Sequence, residues 1–299
     1  MSLCKRRGII LAGGSGTRLY PLTNVLSKQL MPIYDKPMIY YPISTLMISD
    51  IRDFLIISTP SDIHLYQKLL SDGSQWGINI TYACQPIPNG IANAFTIGDK
   101  FIDHNPSALI LGDNIFYGAN LSNELKEISA KRDSSTIFGY RVEDPERYGV
   151  VTFDEDYNVI NLEEKPTRPA SNYAITGLYF YDSDVVDYAK TLKPSKRGEL
   201  EITDLNKIYL KDRKLNVKLL GKGVSWFDTG THSSLLDAAN FVQMMQLRQG
   251  IQISCPEEIA WRAGWINTNE LEIQAIKQQK NGYGQYLIKL INDESLINK

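Results

Sequence analysis

The sequence predicts an α/β fold, a mixed but mainly parallel sheet flanked by helices, and three observations carry that expectation. Short β-branched runs alternate with longer amphipathic stretches through the first half of the 299 residues. The middle changes to closely spaced strand-like runs with turns between them. The last stretch reads as helix. A hydrophobic fraction of 43% and a charged fraction of 22% are ordinary for a globular chain, and the length suffices for one large domain with an appendage or for two modest ones.

Taken in order, residues 8–12 (GIILA), 54–58 (FLIIS), 78–83 (INITYA) and 108–111 (ALIL) read as strands, with helices over 37–48, 61–70 and 92–101 between them. Such alternation implies a largely parallel sheet covered on both faces, whose ligands bind at the carboxyl ends of the strands. Segments 136–140, 148–153, 159–163 and 173–180 read as further strands in an antiparallel or mixed extension, with a turn at 154–158. Helices follow over 184–191 and 202–211, a strand over 217–220, and a long helix over 232–248 that Gly250 should stop. Residues 255–299 look helical and carry Trp261 and Trp265.

Composition narrows the function. With 32 basic and 34 acidic residues the formal net charge is -2, which gives no reason to expect nucleic acid or an anionic membrane as partner. A phosphate site must then be a local gathering of Lys and Arg. Cys4, Cys84 and Cys255 are odd in number and far apart, so a reducing, cytoplasmic compartment is expected. The apolar run after the basic N-terminus is too short for a signal peptide, and no run reaches the length of a membrane span. Histidine is limited to His64, His104 and His232, which leaves few candidates for a His base or a His-rich metal site.

The strongest feature is the segment 11–18, LAGGSGTR, at the end of the first strand. Glycines there let the backbone approach a phosphate, and Arg18 adds a charged, bidentate grip. The string lacks both the Gly-Lys-Ser/Thr ending of a P-loop and the third glycine of a dinucleotide fingerprint. Lys28, in SKQLMP, reaches the same strand end if the chain between folds back; alone it would be a solvated surface lysine. Asp113, in GDN, directly follows the 108–111 strand, where a carboxylate can hold Mg²⁺ together with substrate phosphates. Its plainer reading is an Asx turn. Asp228, in GVSWFDTG, is its candidate partner, although spacing does not show that the two meet. The segment 162–166 (LEEKP) offers Lys165 for a second phosphate and a carboxylate for sugar hydroxyls, and Arg197 lies in RGELE, where Glu199 and Glu201 also suit a helix start. Two Asp-x-Asp strings, at 154–156 and 182–184, have local explanations, a hairpin turn and a helix cap, and neither is read as the metal motif of a glycosyltransferase.

A glycine anion loop, dispersed cations, two aspartates and almost no histidine suit one kind of chemistry. An attacking alcohol needs a general base, whereas a sugar phosphate, with a second pKa of about 6, is already an oxyanion at neutral pH. Catalysis then reduces to aligning two anions and neutralising them, which Lys, Arg and Mg²⁺ do.

These segments, together with SKQLMPIYDKPMIYYP, LGDNIFYG, DPERYGVV, SNYAITGLYFYD, RGELEITD, WFDTGTH, CPEEIAWR and KNGYGQYL, resemble the glucose-1-phosphate thymidylyltransferases among the sugar nucleotidyltransferases. The likeness covers essentially the whole chain. It implies a Rossmann-like core over 1–240 with an inserted sugar-binding region, and a helical segment over 241–299 for subunit contact and regulation. It also implies a homotetramer and feedback by a dTDP-sugar. The implied reaction is Mg²⁺-dependent thymidylyl transfer from dTTP to glucose 1-phosphate, giving dTDP-glucose for deoxysugars such as rhamnose. By motif position, Leu11, Gly13, Gly14, Arg18 and Lys28 would serve the nucleotide, with Gln85 and Gly90 at the base. Asn114, Gly149, Glu164, Lys165 and Ile175 would line the sugar, Lys165 and Arg197 would hold its phosphate, and Asp113 and Asp228 would hold Mg²⁺. Arg18, Lys28, Lys165 and Arg197 make up the implied catalytic set.

Departures from the family pattern are small: Ile175 replaces an expected Val, Asn93 a Gln and Phe227 a Leu. An added methylene in a packed pocket costs about 1–3 kcal/mol, and no charged group is lost. The competing readings are a uridylyltransferase using UTP and a non-catalytic nucleotide-sugar sensor. The sensor would be free to lose Arg18, Lys28 or Asp113, and all three are present.

Overall fold

A computed structural model of the chain describes residues 5–14 and 16–297. Its strands run in chain order as β1 (Arg7–Leu11), β2 (Pro32–Ile33), β3 (Lys36–Pro37), β4 (Asp53–Ser58), β5 (Asn79–Cys84), β6 (Ser107–Leu111) and β7 (Ile115–Gly118). They continue as β8 (Ser135–Arg141), β9 (Gly149–Phe153), β10 (Val159–Glu164), β11 (Tyr173–Tyr181), β12 (Leu215–Leu219) and β13 (Val224–Phe227). The helices are α1 (Tyr40–Met47), α2 (Ile63–Leu70), α3 (Asn93–Ile97), α4 (Asp99–Ile102), α5 (Leu121–Ala130) and α6 (Val185–Thr191). After them come α7 (Ile202–Lys211), α8 (His232–Gln249), α9 (Pro256–Arg262), α10 (Thr268–Lys277) and α11 (Gly282–Ile297).

Among the described residues the main sheet has nine strands in the order β10-β9-β11-β6-β1-β4-β5, with β8 paired to β11 and β12 to β8. Strands β6, β1, β4 and β5 are mutually parallel, so Leu11, Ser58, Cys84 and Leu111 end together. Strands β9, β10 and β11 add the antiparallel extension. Alternate residues of the parallel strands feed two cores. Ile10, Ile56 and Ile110 pack on one face with α1, and Ile9, Ile57 and Leu109 on the other with α3 and α7. Each such fully buried side chain contributes about 1.5–3 kcal/mol, which is why the strands read as continuous apolar runs.

The predicted helix over 92–101 is two short helices, α3 and α4, separated at Gly98. Strands β7 and β13 and helix α5 were not expected. The two strands form a separate antiparallel ribbon beside the main sheet. Helix α8 ends at Gly250 in the left-handed conformation, as expected. Asp154 accepts the N–H groups of Asp156 and Asn158 at the hairpin between β9 and β10. Asp184 stands at the start of α6 but caps nothing with its side chain, which instead pairs with Lys214 at 2.7 Å. Helix α9 packs on α1, and the C-terminal helices extend the core around Tyr40 and Trp76. Among the described residues no helix is long and apolar enough to cross a membrane.

Candidate active site

The carboxyl ends of the parallel strands open onto a cleft whose other wall is β9, β10, β11 and the β13 end. The ladder extends one step past the strands: Ala12 N–H donates to Ile57 O at 2.7 Å, Gln85 N–H to Ser58 O at 2.8 Å and Gly112 N–H to Leu11 O at 2.9 Å. These bonds fix the places where the glycine loop, Gln85 and Asp113 leave the sheet. Gly14 holds φ +113°, a conformation L side chains rarely adopt, and a Cβ there would meet nothing within 4 Å, so its backbone is open to a ligand.

The β7–β13 ribbon brings the two aspartates together. Its register pairs Ile115 with Phe227, so Asp113, two residues before β7, and Asp228, one after β13, leave the same end. Lys28 ties them, its Nζ lying 2.5 Å from Asp113 Oδ2 and 3.4 Å from the Asp228 carbonyl. Thr229 donates its hydroxyl to the Asp113 carbonyl at 2.7 Å. Buried Asn114 donates to Asp113 Oδ1 at 2.8 Å, while its own oxygen accepts Trp226 Nε1–H at 2.6 Å and Gly177 N–H at 3.0 Å. That one amide locks the ribbon to β11 and turns the Asp113 carboxylate.

Arg18, Asp113, Asn114, Gly149, Glu164, Lys165, Ile175 and Asp228 all line this cleft. Gly14 and Lys28 line a recess that adjoins it through the Lys28–Asp113 contact, and Gln85 lies beside Gly13. Leu11 closes β1 half-buried, and Gly90 sits with its backbone against Leu200. Arg197 stays at the rim, not in the lining. It contacts Glu201 at 2.7 Å, Glu164 at 3.2 Å and Glu199 at 3.5 Å, and the hydrogen bond to Glu201 raises its pKa. Burial pushes the Glu201 carboxyl up, but hydrogen bonds from Arg197 and Ser195 more than offset this and leave its pKa lowered.

At the other end of the cleft Thr203 donates its hydroxyl to Glu164, and a Cβ on Gly149 would lie 3.2 Å from Thr203 Oγ1 and 3.4 Å from Glu164 Oε2. A polar ligand therefore meets a carboxylate, a hydroxyl and bare backbone over an apolar wall of Ile175, Tyr179 and Ile202. Lys165 stands at φ 44°, its N–H bonded to the Tyr148 carbonyl at 3.0 Å, and has no ion-pair partner among the described residues. Sequence reasoning assigned no role to Arg147, Tyr148, Thr203 or Trp226, all of which line the cleft. Arg147 contacts Asp144 at 2.6 Å and Asp228 at 3.2 Å, and the bond to Asp144 leads in raising its pKa. Tyr148 donates its hydroxyl to Asp228 Oδ2 at 3.2 Å, and burial raises its pKa.

A divalent cation suits the donor set of Asp113 and Asp228, two oxygen acids on adjoining chain ends facing one cleft. Among the described residues no group of three or more His, Cys, Asp or Glu side chains converges, so phosphate or water oxygens would complete the shell.

The fold and the cleft define a nucleotidyltransferase: the nucleotidyl transferase family model matches residues 7–244, and the chain belongs to that family. It is 58% identical over 288 residues to a glucose-1-phosphate thymidylyltransferase of Xanthomonas campestris pv. campestris (strain B100), covering 96% of this chain and 98% of that one. It is 53% identical to the protein of that name from Mycolicibacterium smegmatis, covering 96% and 100%. A Bacillus anthracis protein described as a glucose-1-phosphate thymidylyltransferase, crystallised with sucrose, superposes with a TM-score of 0.73 at 41% identity, over 79% of this chain and 94% of its own. A UDP-glucose pyrophosphorylase complexed with UDP-glucose superposes with a TM-score of 0.71 over 81% of this chain and 99% of its own. At 24% identity, that likeness shows the fold alone.

Proposed function

We propose that this nucleotidyltransferase moves a thymidylyl group from dTTP to glucose 1-phosphate, with Mg²⁺, releasing pyrophosphate and dTDP-glucose for deoxysugar synthesis. The observation that carries the proposal is one cleft holding Asp113, Asp228 and Arg18 towards the glycine loop, and Glu164, Thr203 and Lys165 at its opposite wall. The names of the relatives support the choice of substrates. A phosphate oxygen of glucose 1-phosphate attacks the α-phosphorus of dTTP, the bond to the bridging oxygen breaks, and pyrophosphate leaves. The nucleophile is already anionic, so no residue needs to remove a proton.

Arg18, Lys28 and the backbone at Gly13 and Gly14 bind the triphosphate and neutralise it. Lys165 orients the sugar phosphate, aided from the rim by Arg197, while Glu164 and Asn114 direct the sugar hydroxyls. Gln85 and Gly90 face the base, and Asp113 and Asp228 would hold the metal. Mg²⁺ supplies charge neutralisation for the phosphates. Residues 241–299 serve subunit contact in a homotetramer and feedback by a dTDP-sugar; exposed Met244, Leu247, Ile273 and Ile276 support the first of these roles. Pyrophosphate release from glucose 1-phosphate with dTTP, UTP, CTP and ATP tests the reaction. Fastest release with dTTP is expected, UTP being weaker; equal or faster release with UTP changes the assigned nucleotide, and no release with any of them removes the activity.

A further inference from the structure

Both carboxylates of the proposed metal pair already face a cation of the protein. Lys28 Nζ lies 2.5 Å from Asp113 Oδ2, with the side chains 10% and 23% exposed. Arg147 lies 3.2 Å from Asp228 Oδ2. Two carboxylates on adjoining chain ends repel one another, and partly buried charge requires compensation, so these pairs hold the pre-formed site together. A divalent ion needs the same oxygens. An ammonium at hydrogen-bond distance from a ligand oxygen repels the arriving metal, so each must give way to the other. Lys28 lines the recess beside Gly14 and Arg147 lines the main cleft, so both can turn to phosphate oxygens when a polyanion is present.

We infer that Lys28 and Arg147 are resident counter-cations of the metal-binding carboxylates, exchanged for the divalent ion as the triphosphate arrives. The inference rests on reading Asp113 and Asp228 as the metal ligands, and it makes Arg147 a positioning residue. Metal and nucleotide affinities are then coupled, and the coupling is reciprocal. The protein alone binds a divalent ion weakly because its own cations hold the ligands.

Mn²⁺ binding to the full chain without nucleotide, followed by the paramagnetic resonance signal of the free ion, tests this. Lys28→Met and Arg147→Gln, singly and together, are expected to tighten Mn²⁺ binding by about tenfold or more, since each removes a unit charge close to a ligand oxygen. Lys218→Gln removes a partly exposed cation that lies outside the cleft lining and pairs with Glu124 at 3.3 Å, and should leave Mn²⁺ affinity near that of the parent. If Lys28→Met does not fold, Arg147→Gln decides alone, because its side chain is 38% exposed. Parent protein that binds Mn²⁺ as tightly as Arg147→Gln, or equal tightening by Lys218→Gln, overturns the exchange. The underlying metal reading is separated by calorimetric titration of dTTP with and without Mn²⁺. The ion should tighten dTTP binding in the parent and not in Asp113→Asn or Asp228→Asn. Asp variants that keep the full Mn²⁺ effect remove the ligand assignment, whatever the nucleotide-free affinities.

Discussion

At the residue scale, Asp113 and Asp228 differ in what else holds them. Asp113 is fixed through both oxygens, by Asn114 and Lys28, whereas one Asp228 oxygen takes both Arg147 and Tyr148. Asparagine keeps the shape at either place and removes the charge. Asp113→Asn and Asp228→Asn should lower turnover by about a hundredfold or more, since a bound metal supplies several kcal/mol to the transition state. Both variants should keep the fold, with Asp113→Asn melting at the lower temperature because it leaves the buried Lys28 ammonium without its carboxylate. Turnover across a Mg²⁺ titration checks the assignment, and near-normal rates at low Mg²⁺ in either variant would remove it. Gln85 carries a second residue-level prediction. Its Nε2 donates to Asn89 Oδ1 at 3.0 Å, and its oxygen lies towards Gly13. In the proposed reaction that oxygen would accept the N3–H of thymine or uracil, whereas cytosine presents an acceptor there. An unmatched buried polar group costs about 1–3 kcal/mol, which disfavours CTP by about tenfold to a hundredfold. Gln85→Met should slow dTTP use and shrink that discrimination in initial-rate comparisons of dTTP, UTP and CTP; unchanged rates and selectivity would make Gln85 only a brace for its loop. Asp113 is legible as a cleft residue because only Gly112 separates it from an apolar run. Arg147 was not, because it stands three residues after Asp144 and reads as a local surface pair. It makes that pair, and its contact with Asp228 crosses 81 positions of chain.

At the scale of elements, the parallel strands declared themselves because burial on both faces forces continuous β-branched runs. The β7–β13 ribbon stayed hidden. Each strand has four residues, IFYG and VSWF, too short for an alternation to register, and only their pairing brings Asp113 and Asp228 together. Helix α5 lies outside the elements expected from the sequence although Leu121, Leu125 and Ile128 recur at helical spacing and all three are buried. The single helix read over 92–101 ignored Gly98, whose lack of a side chain weakens a helix interior. Strand β10 carries its candidate groups at its end: Glu164 closes the strand, and the turn after it holds Lys165 at positive φ. A charged hydrogen bond is worth about 1.5–3 kcal/mol, so Lys165→Ala should weaken glucose 1-phosphate binding by about tenfold to a hundredfold. The effect on dTTP should be smaller. Calorimetry with each ligand separately checks this, and a greater loss for dTTP would reassign the turn to the triphosphate.

At the scale of the whole molecule, the helical C-terminal stretch was predictable in kind, but the way it is joined to the sheet was not. The joint combines residues remote in sequence. The Arg52 guanidinium lies 5.2 Å from the Trp265 ring centre and donates through Nε to the Gly77 carbonyl at 2.9 Å. Gly77 stands at φ +64°, and a Cβ on it would lie 2.5 Å from the Trp265 carbonyl oxygen. Any side chain there must push apart the turn after α9 and the segment that carries Trp76. Trp76 is buried in the same core as Ile10 and Ile110, so the disturbance is shared with the main sheet. The cleft residues lie on other elements, at the strand ends and on the β7–β13 ribbon. Gly77→Ala should therefore cost about 1–3 kcal/mol of stability through strain and overpacking. That corresponds to a fall in melting temperature of about 2–4 °C for each kcal/mol in a domain of this size class. Turnover per folded molecule, measured well below the melt, should stay within a factor of about two of the parent, since substitutions distant from a site act on it nearly independently. Scanning calorimetry and steady-state rates on the same preparation check both halves. A single transition at lower temperature with unchanged turnover would show the C-terminal helices and the sheet melting as one unit. A separate early transition that leaves turnover intact would make the C-terminal layer an independent folding unit, and a loss of turnover with unchanged melting would mean that the Gly77–Trp265 contact is coupled to the cleft.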